Sequence, residues 1–404
     1  MKKHILVISQ YFYPENFRIN DMCFEWVKRG YKVTVITGIP NYPRGKFFKG
    51  YGMFRKRKEV INGVSVVRLL ISPRRKGSLM LVLNYFSFVI SGWLWKTFTR
   101  IKADIVFNFE VSPMTQALPG LWYAKRRKIP FFIYVQDLWP ENIQVIGGIN
   151  NKFIIKSINK MVDNIYKKST KILVTSESFK KNIIARGTSK EKVIYWPQYA
   201  EEFYKSLKLN KDKKTFNVMY TGNIGDAQGL EVLPELAMML KKNNPNNNLI
   251  FTLIGDGRNK QNLEEIIEAK GLQDMFVFEG QKNPEEISLF LSKANIAFLS
   301  FCDNELFRMT IPAKLQTYLA CGKPILAIAK GETKNIIEKS KSGLCSDPSD
   351  IDGVYKNIVK FMNMTETELE KMANDGQNYV KENFHKKTLL DELDELIAQE
   401  VKNV

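Results

Sequence analysis

The chain has 404 residues, 44% hydrophobic and 12% aromatic, with 4 cysteines, 2 histidines and a formal charge of +19. That composition supports a large core and at least two domains and excludes a disordered chain, while His4 and His385, at opposite ends, exclude a histidine triad or a zinc cluster of the usual spacing. Cys23, Cys302, Cys321 and Cys345 form no C-x-x-C pair and read as reduced thiols of a cytoplasmic protein.

The chain opens KKHILVISQYFYPENFRIND, which predicts a buried-type strand over Ile5–Ser9, a loop over Gln10–Arg18 and a helix over about Ile19–Lys28 closed by Arg29-Gly30. In the loop, Glu15 and Arg18 could pair with each other or serve a site. YKVTVIT is a second strand and runs into the loop GIPNYPRG; VSVVRLL, ADIVFNF and IPFFIYVQD follow as further strands with helices between them. Apolar strands alternating with helices mean a parallel sheet covered on both faces. The loop after the last of these strands, VQDLWPENIQVIG, carries Asp137 and Glu141. Carboxylates there could act as general base or orient a hydroxyl, or could cap the next helix.

Charge is concentrated in this half. Residues 1–205 hold 36 Lys+Arg against 13 Asp+Glu, a net +23, and residues 206–404 hold 25 against 29, a net −4. A basic half faces a polyanion, nucleic acid or an anionic membrane. The clusters RKRK (Arg55–Lys58), RRK (Arg74–Lys76) and KRRK (Lys125–Lys128) flank an uncharged run of 19 residues, GSLMLVLNYFSFVISGWLW, between Lys76 and Lys96. The run is near the length of a bilayer span. Asn84, Ser87, Ser91 and Gly92 weaken that reading, and no signal-peptide pattern precedes it. Two readings stand: a helix partly buried in its domain whose edge touches membrane through Phe86, Trp93 and Trp95, or a purely internal helix. An apolar run beside cations favours membrane over nucleic acid.

A polar stretch, Glu201–Lys214, reads as a linker, after which the alternation restarts. FNVMYTGNI, LIFTLIGDG, MFVFEG and NIAFLSF are strands; GLEVLPELAMMLKK, NLEEIIEAKG and PEEISLFLSKA are helices. Two doubly wound domains facing each other would form a ligand cleft at the carboxyl ends of their strands. Gly222, Gly225 and Gly229 in TGNIGDAQGL let amides approach a phosphate ahead of a helix. In IGDGRNK, Gly255 and Gly257 could pass close to a nucleoside, with Arg258 adding charge. In LFRMTIPAKLQTYLACGKPILAIAKG a proline opens a helix, and Lys314 sits in its first turn. A lysine at that positive end is unfavourable unless an anion is bound beside it. Three such loops predict a nucleoside-diphosphate site, and the absence of a G-x-x-x-x-G-K-[ST] motif argues against a nucleotide-hydrolysing machine.

The segments SQYFYPENFRIND, GIPNYPRG, QDLWPENIQVIG, YTGNIGDAQGLEVL, LIGDG and IPAKLQTYLACGKPILA occur in the order found in family 4 glycosyltransferases, which the chain resembles over nearly its whole length. It is most similar to bacterial transferases of capsule and O-antigen assembly, including L-fucosamine transferases. The resemblance implies the α/β GT-B fold with two Rossmann-like domains, an acceptor domain at 1–200, a donor domain at 201–384, and a last helix at 385–404 crossing back to the first. It implies a retaining transfer without metal or other cofactor, from a nucleotide-sugar donor to a polyprenyl-diphosphate-linked saccharide acceptor. UDP-N-acetyl-L-fucosamine is the donor implied by the subgroup. The expected place is the cytoplasmic face of the cell membrane, held there through the basic half, with no nucleic-acid partner.

The expected site follows from these segments. Asp137, Glu141 and Glu15 are assigned to catalysis and Arg18, Asn41 and Tyr42 to acceptor binding. Gly222, Asn223, Gln228, Gly255, Gly257, Arg258, Lys314, Gln316 and Thr317 are assigned to the donor. Several family residues are replaced. Asn16-Phe17 stands where the family has a double glycine, and Gln136 stands near its catalytic-loop histidine. Asn223 and Gln228 replace the diphosphate Arg and Lys, and Met309 and Thr317 replace the paired glutamates. Lys314 is left as the strongest cation for the diphosphate. Two other classes remain open: a sugar-nucleotide epimerase of the same fold, which would release free sugar without acceptor, and a non-catalytic polyanion-binding protein, which would bind no nucleotide.

Overall fold

The computed structural model describes residues 3–43, 45–75, 77–145, 147–207, 215–245 and 248–402. The chain divides into two compact units, Met1–Trp196 with Asp391–Val404, and Pro197–Leu390. Residues 208–214 of the expected linker, Lys76 of the RRK cluster, and Arg44 and Ile146 of the loops quoted above lie outside the described residues.

In the first unit the strands are β1 (His4–Ile8), β2 (Lys32–Gly38), β3 (Lys58–Ile61), β4 (Val64–Leu69), β5 (Ile105–Glu110), β6 (Phe131–Val135), β7 (Lys171–Val174) and β8 (Val193–Tyr195). They form one sheet in the order β3-β4-β2-β1-β5-β6-β7-β8. Every residue of β1, β5 and β6 is buried, the signature of parallel strands covered on both faces. The expectation of a purely parallel sheet is corrected at one edge, where β3 pairs antiparallel with β4. Asn62-Gly63 joins them with φ of 47° and 82°, the positive pair of a tight hairpin turn. Strand order reverses between β1 and β5, so the loops that follow those two strands flank the switch point.

The uncharged run forms the helix Ser78–Phe98, and its polarity is inverted. The polar and small residues face the domain: Asn84 bonds to Gln10 and to the Ser72 carbonyl, Ser87 accepts from the Ser72 amide, and Ser91 donates to the Leu70 carbonyl. Gly92 lies where a methyl group would sit 2.3 Å from Pro119. Leu79, Val82, Leu83, Phe86, Ile90, Trp93, Leu94 and Phe98 point outward, Phe86 being 57% and Phe98 78% exposed. A purely internal helix is therefore ruled out. Of the three anchors expected, Phe86 and Trp93 are exposed, whereas Trp95 stacks on Tyr123 with ring centroids 5.4 Å apart.

The second unit holds β9 (Phe216–Thr221), β10 (Leu249–Ile254), β11 (Phe276–Gly280), β12 (Ile296–Ser300), β13 (Ile325–Ile328) and β14 (Gly343–Ser346), paired in parallel in the order β11-β10-β9-β12-β13-β14. The switch point falls between β9 and β12. Val218, Tyr220, Phe251, Leu253 and Phe298 pack with Leu233, Leu236 and Ile358 on one face; Met219, Leu299 and Ala327 pack with Leu315, Tyr318 and Leu319 on the other.

The last helix, Lys386–Lys402, begins in the second unit and from Asp391 onward is part of the first. There Arg29 Nη1 donates to Asp391 and Asp394 at 2.7 and 2.8 Å, Lys171 pairs with Glu400 at 3.4 Å, and Leu393 and Ile397 are buried.

Candidate functional site

In the second unit the turn after β9 and the helix Ala313–Ala320 meet at the carboxyl edge of the sheet. Tyr318, midway along that helix, fixes the contact: its hydroxyl accepts from the Thr221 amide at 2.9 Å. This brings Lys314, in the first turn, against the glycine turn. Its Nζ donates to the Tyr220 hydroxyl at 2.6 Å, lies 3.9 Å from the Tyr220 ring centroid, and stands 3.3 Å from the point a Cβ on Gly222 would occupy. Gly222 has φ of 129°, so a side chain there would be strained as well as crowded against the ammonium. Among the described residues no carboxylate pairs with Lys314. Burial without a counter-ion pulls its pKa down to about 7. A cation at a helix start, short of water and of any anion, is set to receive one.

Asn223 and Gln228 lie on the same turn. The Asn223 amide and the Gly225 backbone N–H both donate to Gln228 Oε1, at 3.3 and 3.2 Å, closing the loop. Asn223 is exposed and adjoins Gly222, the residue Lys314 approaches.

Five of the expected donor residues have other employment. A Cβ on Gly255 would sit 1.8 Å from the Gly222 carbonyl oxygen, and one on Gly257 would sit 2.2 Å from that of Ile224. These glycines let two backbones touch, and Ile224 N–H donates to the Asp256 carbonyl there, so they support the turn after β9. Arg258 is already paired with Asp226. Gln316 and Thr317 face inward on the helix: the Gln316 amide reaches the Pro312 and Ala313 carbonyls, and the Thr317 hydroxyl donates to Ala313 at 3.3 Å. Gly255→Ala adds the forbidden contact and demands φ of 144° from alanine, on the order of 3 kcal/mol or more in sum. We expect this variant to melt well below the parent and to lose any nucleotide-induced rise in melting temperature, whereas Gly52→Ala, with open space around it and no positive φ, should do neither.

In the first unit the two aromatic loops are tied by Glu15. Its buried carboxylate accepts from the backbone amides of Asn41 and Tyr42, at 2.8 and 2.7 Å, and from Phe12 at 3.4 Å. Desolvation outweighs these bonds and raises its pKa to about 7. Glu15 thus clamps a loop rather than facing a substrate. Asn41 is likewise spent on the fold, its amide donating to the Ile39 carbonyl and accepting from the Arg74 N–H. Tyr42 alone of the set keeps an exposed ring, packed with Tyr11 and Phe17 at 5.5 Å. Arg18 heads the helix Ile19–Lys28, where its carbonyl accepts from Met22, and its charge reaches Tyr134.

Asp137 Oδ2 accepts from the amide and hydroxyl of Ser112, at 2.8 and 2.7 Å, and Trp139 Nε1 donates to the same hydroxyl. It braces the loop after β5 and does not cap the next helix, which begins at Glu141. Burial raises its pKa. Glu141 accepts from Asn182 at 3.2 Å. Two residues were missed from the sequence. Glu110, at the end of β5, is fully buried, and burial next to Asp137 pushes its pKa well up. An acid ending an otherwise apolar strand was the available signal. Arg74, read only as part of a surface cluster, is half-buried among the tyrosines at this edge.

Residues 202–379 match the family model "Glycosyl transferases group 1", and residues 17–198 match "Glycosyltransferase Family 4". WcaI of Escherichia coli (strain K12), assigned as a colanic acid biosynthesis glycosyl transferase, is 26% identical over 83% of this chain and 85% of its own. AmsK of Erwinia amylovora, an amylovoran biosynthesis glycosyltransferase, is 24% identical over 50% of each chain. Among solved structures, sucrose-phosphate synthase from Thermosynechococcus elongatus superposes with a TM-score of 0.77 at 15% identity, covering 98% of this chain and 99% of that one. Anabaena Alr3699/HepE, in complex with UDP and glucose, superposes with 0.69 at 14%, covering 98% and 100%. The fold is GT-B.

Proposed function

We propose that this chain, a glycosyltransferase of the GT-B fold whose two halves match the family 4 and group 1 glycosyltransferase models, moves a sugar from a nucleoside-diphosphate donor to a lipid-linked saccharide in exopolysaccharide synthesis. The observation that carries the donor half of this reading is Lys314: a cation that no carboxylate pairs with among the described residues, set between a glycine turn and a helix start. The acceptor half rests on the inverted helix Ser78–Phe98, an apolar surface beside cationic clusters, which fits an anionic bilayer at the cytoplasmic face. The polysaccharide context comes from WcaI and AmsK. UDP is the proposed nucleotide and N-acetyl-L-fucosamine the proposed sugar, as the resemblance of the sequence implies.

In this reading negative charge develops on the departing diphosphate as the glycosidic bond to it breaks. The Lys314 ammonium and the positive end of the helix that carries it stabilise that charge without a metal. The acceptor hydroxyl attacks the face from which the diphosphate leaves, and its proton passes to the leaving phosphate oxygen, so configuration is retained. The test is transfer from UDP-sugars to a synthetic polyprenyl-diphosphate-linked monosaccharide, with and without chelator. We expect a lengthened lipid-linked product, undiminished by chelator and of the donor's anomeric configuration by NMR. Free sugar released without acceptor would favour an epimerase or hydrolase, and absence of any nucleotide-induced thermal shift would reject the donor site.

A further inference from the structure

The carboxyl edge of the first sheet holds a second cation that no carboxylate pairs with among the described residues. Arg74 lies in the loop that leads from β4 into the inverted helix. Its backbone is gripped from two sides. Its N–H donates to the Asn41 side chain at 2.8 Å, and Gly45, at φ of 70°, passes so close that a Cβ there would sit 2.2 Å from the Arg74 carbonyl oxygen. Asn41 is in turn fixed by the buried Glu15, so this grip traces back to the core.

The side chain is placed but not satisfied. A guanidinium carries five N–H donors. Those of Arg74 make one long hydrogen bond, 3.4 Å to the Tyr11 hydroxyl, and the group stands 5.3 Å from the centre of the Tyr42 ring. Among the described residues no carboxylate pairs with it. The charged and titratable groups it senses are the hydroxyls of Tyr11, Tyr85 and Tyr42. The nearby acids are engaged elsewhere: Glu15 by three backbone amides, Asp137 by Ser112. Arg68, the other arginine of this sheet edge, shows the contrast, since it is fully buried and bonded to Glu59 at 2.6 Å. One arginine of the edge is structural and neutralised; the other is held in place and left charged.

What lies next to Arg74 sets the kind of anion. Five residues on, the outward face of the helix begins with Leu79, Val82, Leu83 and Phe86, all exposed. A planar guanidinium matches the oxygen pairs of a phosphate group, and an apolar helix face beside it matches a hydrocarbon chain. We propose that Arg74 binds the phosphate oxygens of an amphiphilic diphosphate, with the chain of that amphiphile lying against Leu79, Val82, Leu83 and Phe86. This rests on the lipid-linked acceptor of the preceding reading and gives it a headgroup contact at the same sheet edge as Asp137. Tyr11 and Tyr42 wall the guanidinium so that it points where a headgroup can reach it and stays poorly hydrated.

The experiment uses the whole protein and two kinds of phosphatidylcholine vesicle, one doped with polyprenyl diphosphate and one with phosphatidylglycerol at equal charge. Flotation should show the parent protein preferring the diphosphate vesicles by about tenfold or more. Arg74→Gln should lose that preference while keeping its binding to phosphatidylglycerol vesicles and its thermal shift with UDP; Arg74→Lys should keep part of it. Because only the side-chain head is altered, the Asn41 and Gly45 contacts persist, and an unchanged melting temperature checks this. Equal binding of the parent to both vesicles, or a preference surviving in Arg74→Gln, overturns the proposal. A protein that floats with neither vesicle refutes the membrane reading instead. Farnesyl diphosphate in solution then decides the Arg74 contact, which stands only if Arg74→Gln weakens that ligand more than it weakens inorganic pyrophosphate. Equal loss of the two would mark a site for free phosphate and reject the lipid.

Discussion

Lys314→Ala should raise the dissociation constant of a nucleoside diphosphate about a hundredfold, close to 3 kcal/mol, the scale of a poorly hydrated charge-assisted contact. Titration calorimetry with UDP measures it, and unchanged affinity removes Lys314 from the site. The same lysine predicts a pH signature. Its pKa is held down near 7 by desolvation, and a bound diphosphate reverses that cost, so binding takes up a proton. Affinity should therefore fall as pH rises above 7, by up to about tenfold per unit, and the binding enthalpy should change with the ionisation heat of the buffer. Stability moves the other way. Folding lowers this pKa, so the unfolded chain binds more protons between the folded value and the ordinary lysine value, and the lysine costs stability below that window, a cost relieved as pH rises through it. Lys314→Met, without the charge, should melt higher than the parent at neutral pH while binding UDP poorly. A variant that is both more stable and less able to bind would identify the lysine as a group kept for its ligand.

Glu15→Ala should destabilise the first unit by roughly 2–5 kcal/mol, because it leaves buried backbone amides of Asn41 and Tyr42 without an acceptor. Glu15→Gln retains an acceptor oxygen and separates charge from geometry. Folding raises the pKa of Glu15 from the ordinary carboxyl value to about 7. The folded chain then holds the extra proton between those two values, so this group's contribution is fully present at low pH and is lost as pH climbs toward 7. Denaturant melts across pH 4–7.5 should show the parent losing up to about 3 kcal/mol relative to Glu15→Gln over that range. Parallel curves for the two proteins would mean that the carboxyl group titrates normally and is better hydrated than its burial indicates.

Much of the scaffold was legible because it obeys period and punctuation. Runs such as HILVI and FFIYV can only be strands covered on both faces, and Arg29-Gly30 closes the first helix where a glycine stop belongs. Lys314 was legible because its charge is wrong for its helix position. Gln316 and Thr317 share the first turns with Lys314, but the helix is turned so that their side chains return to its own carbonyls, an orientation the sequence does not show. Gly255 and Gly257 were given to a nucleoside because sequence shows a missing Cβ without showing which neighbour fills the space. Here the neighbours are the Gly222 and Ile224 carbonyls. The clamp bonds of Glu15 to the Asn41 and Tyr42 amides span 26 and 27 positions, so no local pattern could mark them. The inverted helix posed the reverse problem. Asn84, Ser87, Ser91 and Gly92 looked like flaws in an apolar span, yet they form its docked side.

The helix Lys386–Lys402 also bears on how the protein is made. Its residues from Asp391 onward complete a unit whose other members run from the start of the chain to Trp196. During synthesis the amino-terminal unit leaves the ribosome with the ground around Arg29 and Lys171 uncovered, and it gains Leu393 and Ile397 only after the second unit has been made. Maturation of the first half is thereby timed to the end of the second, and a prematurely terminated product lacks the seal and is left for chaperones and proteases to find.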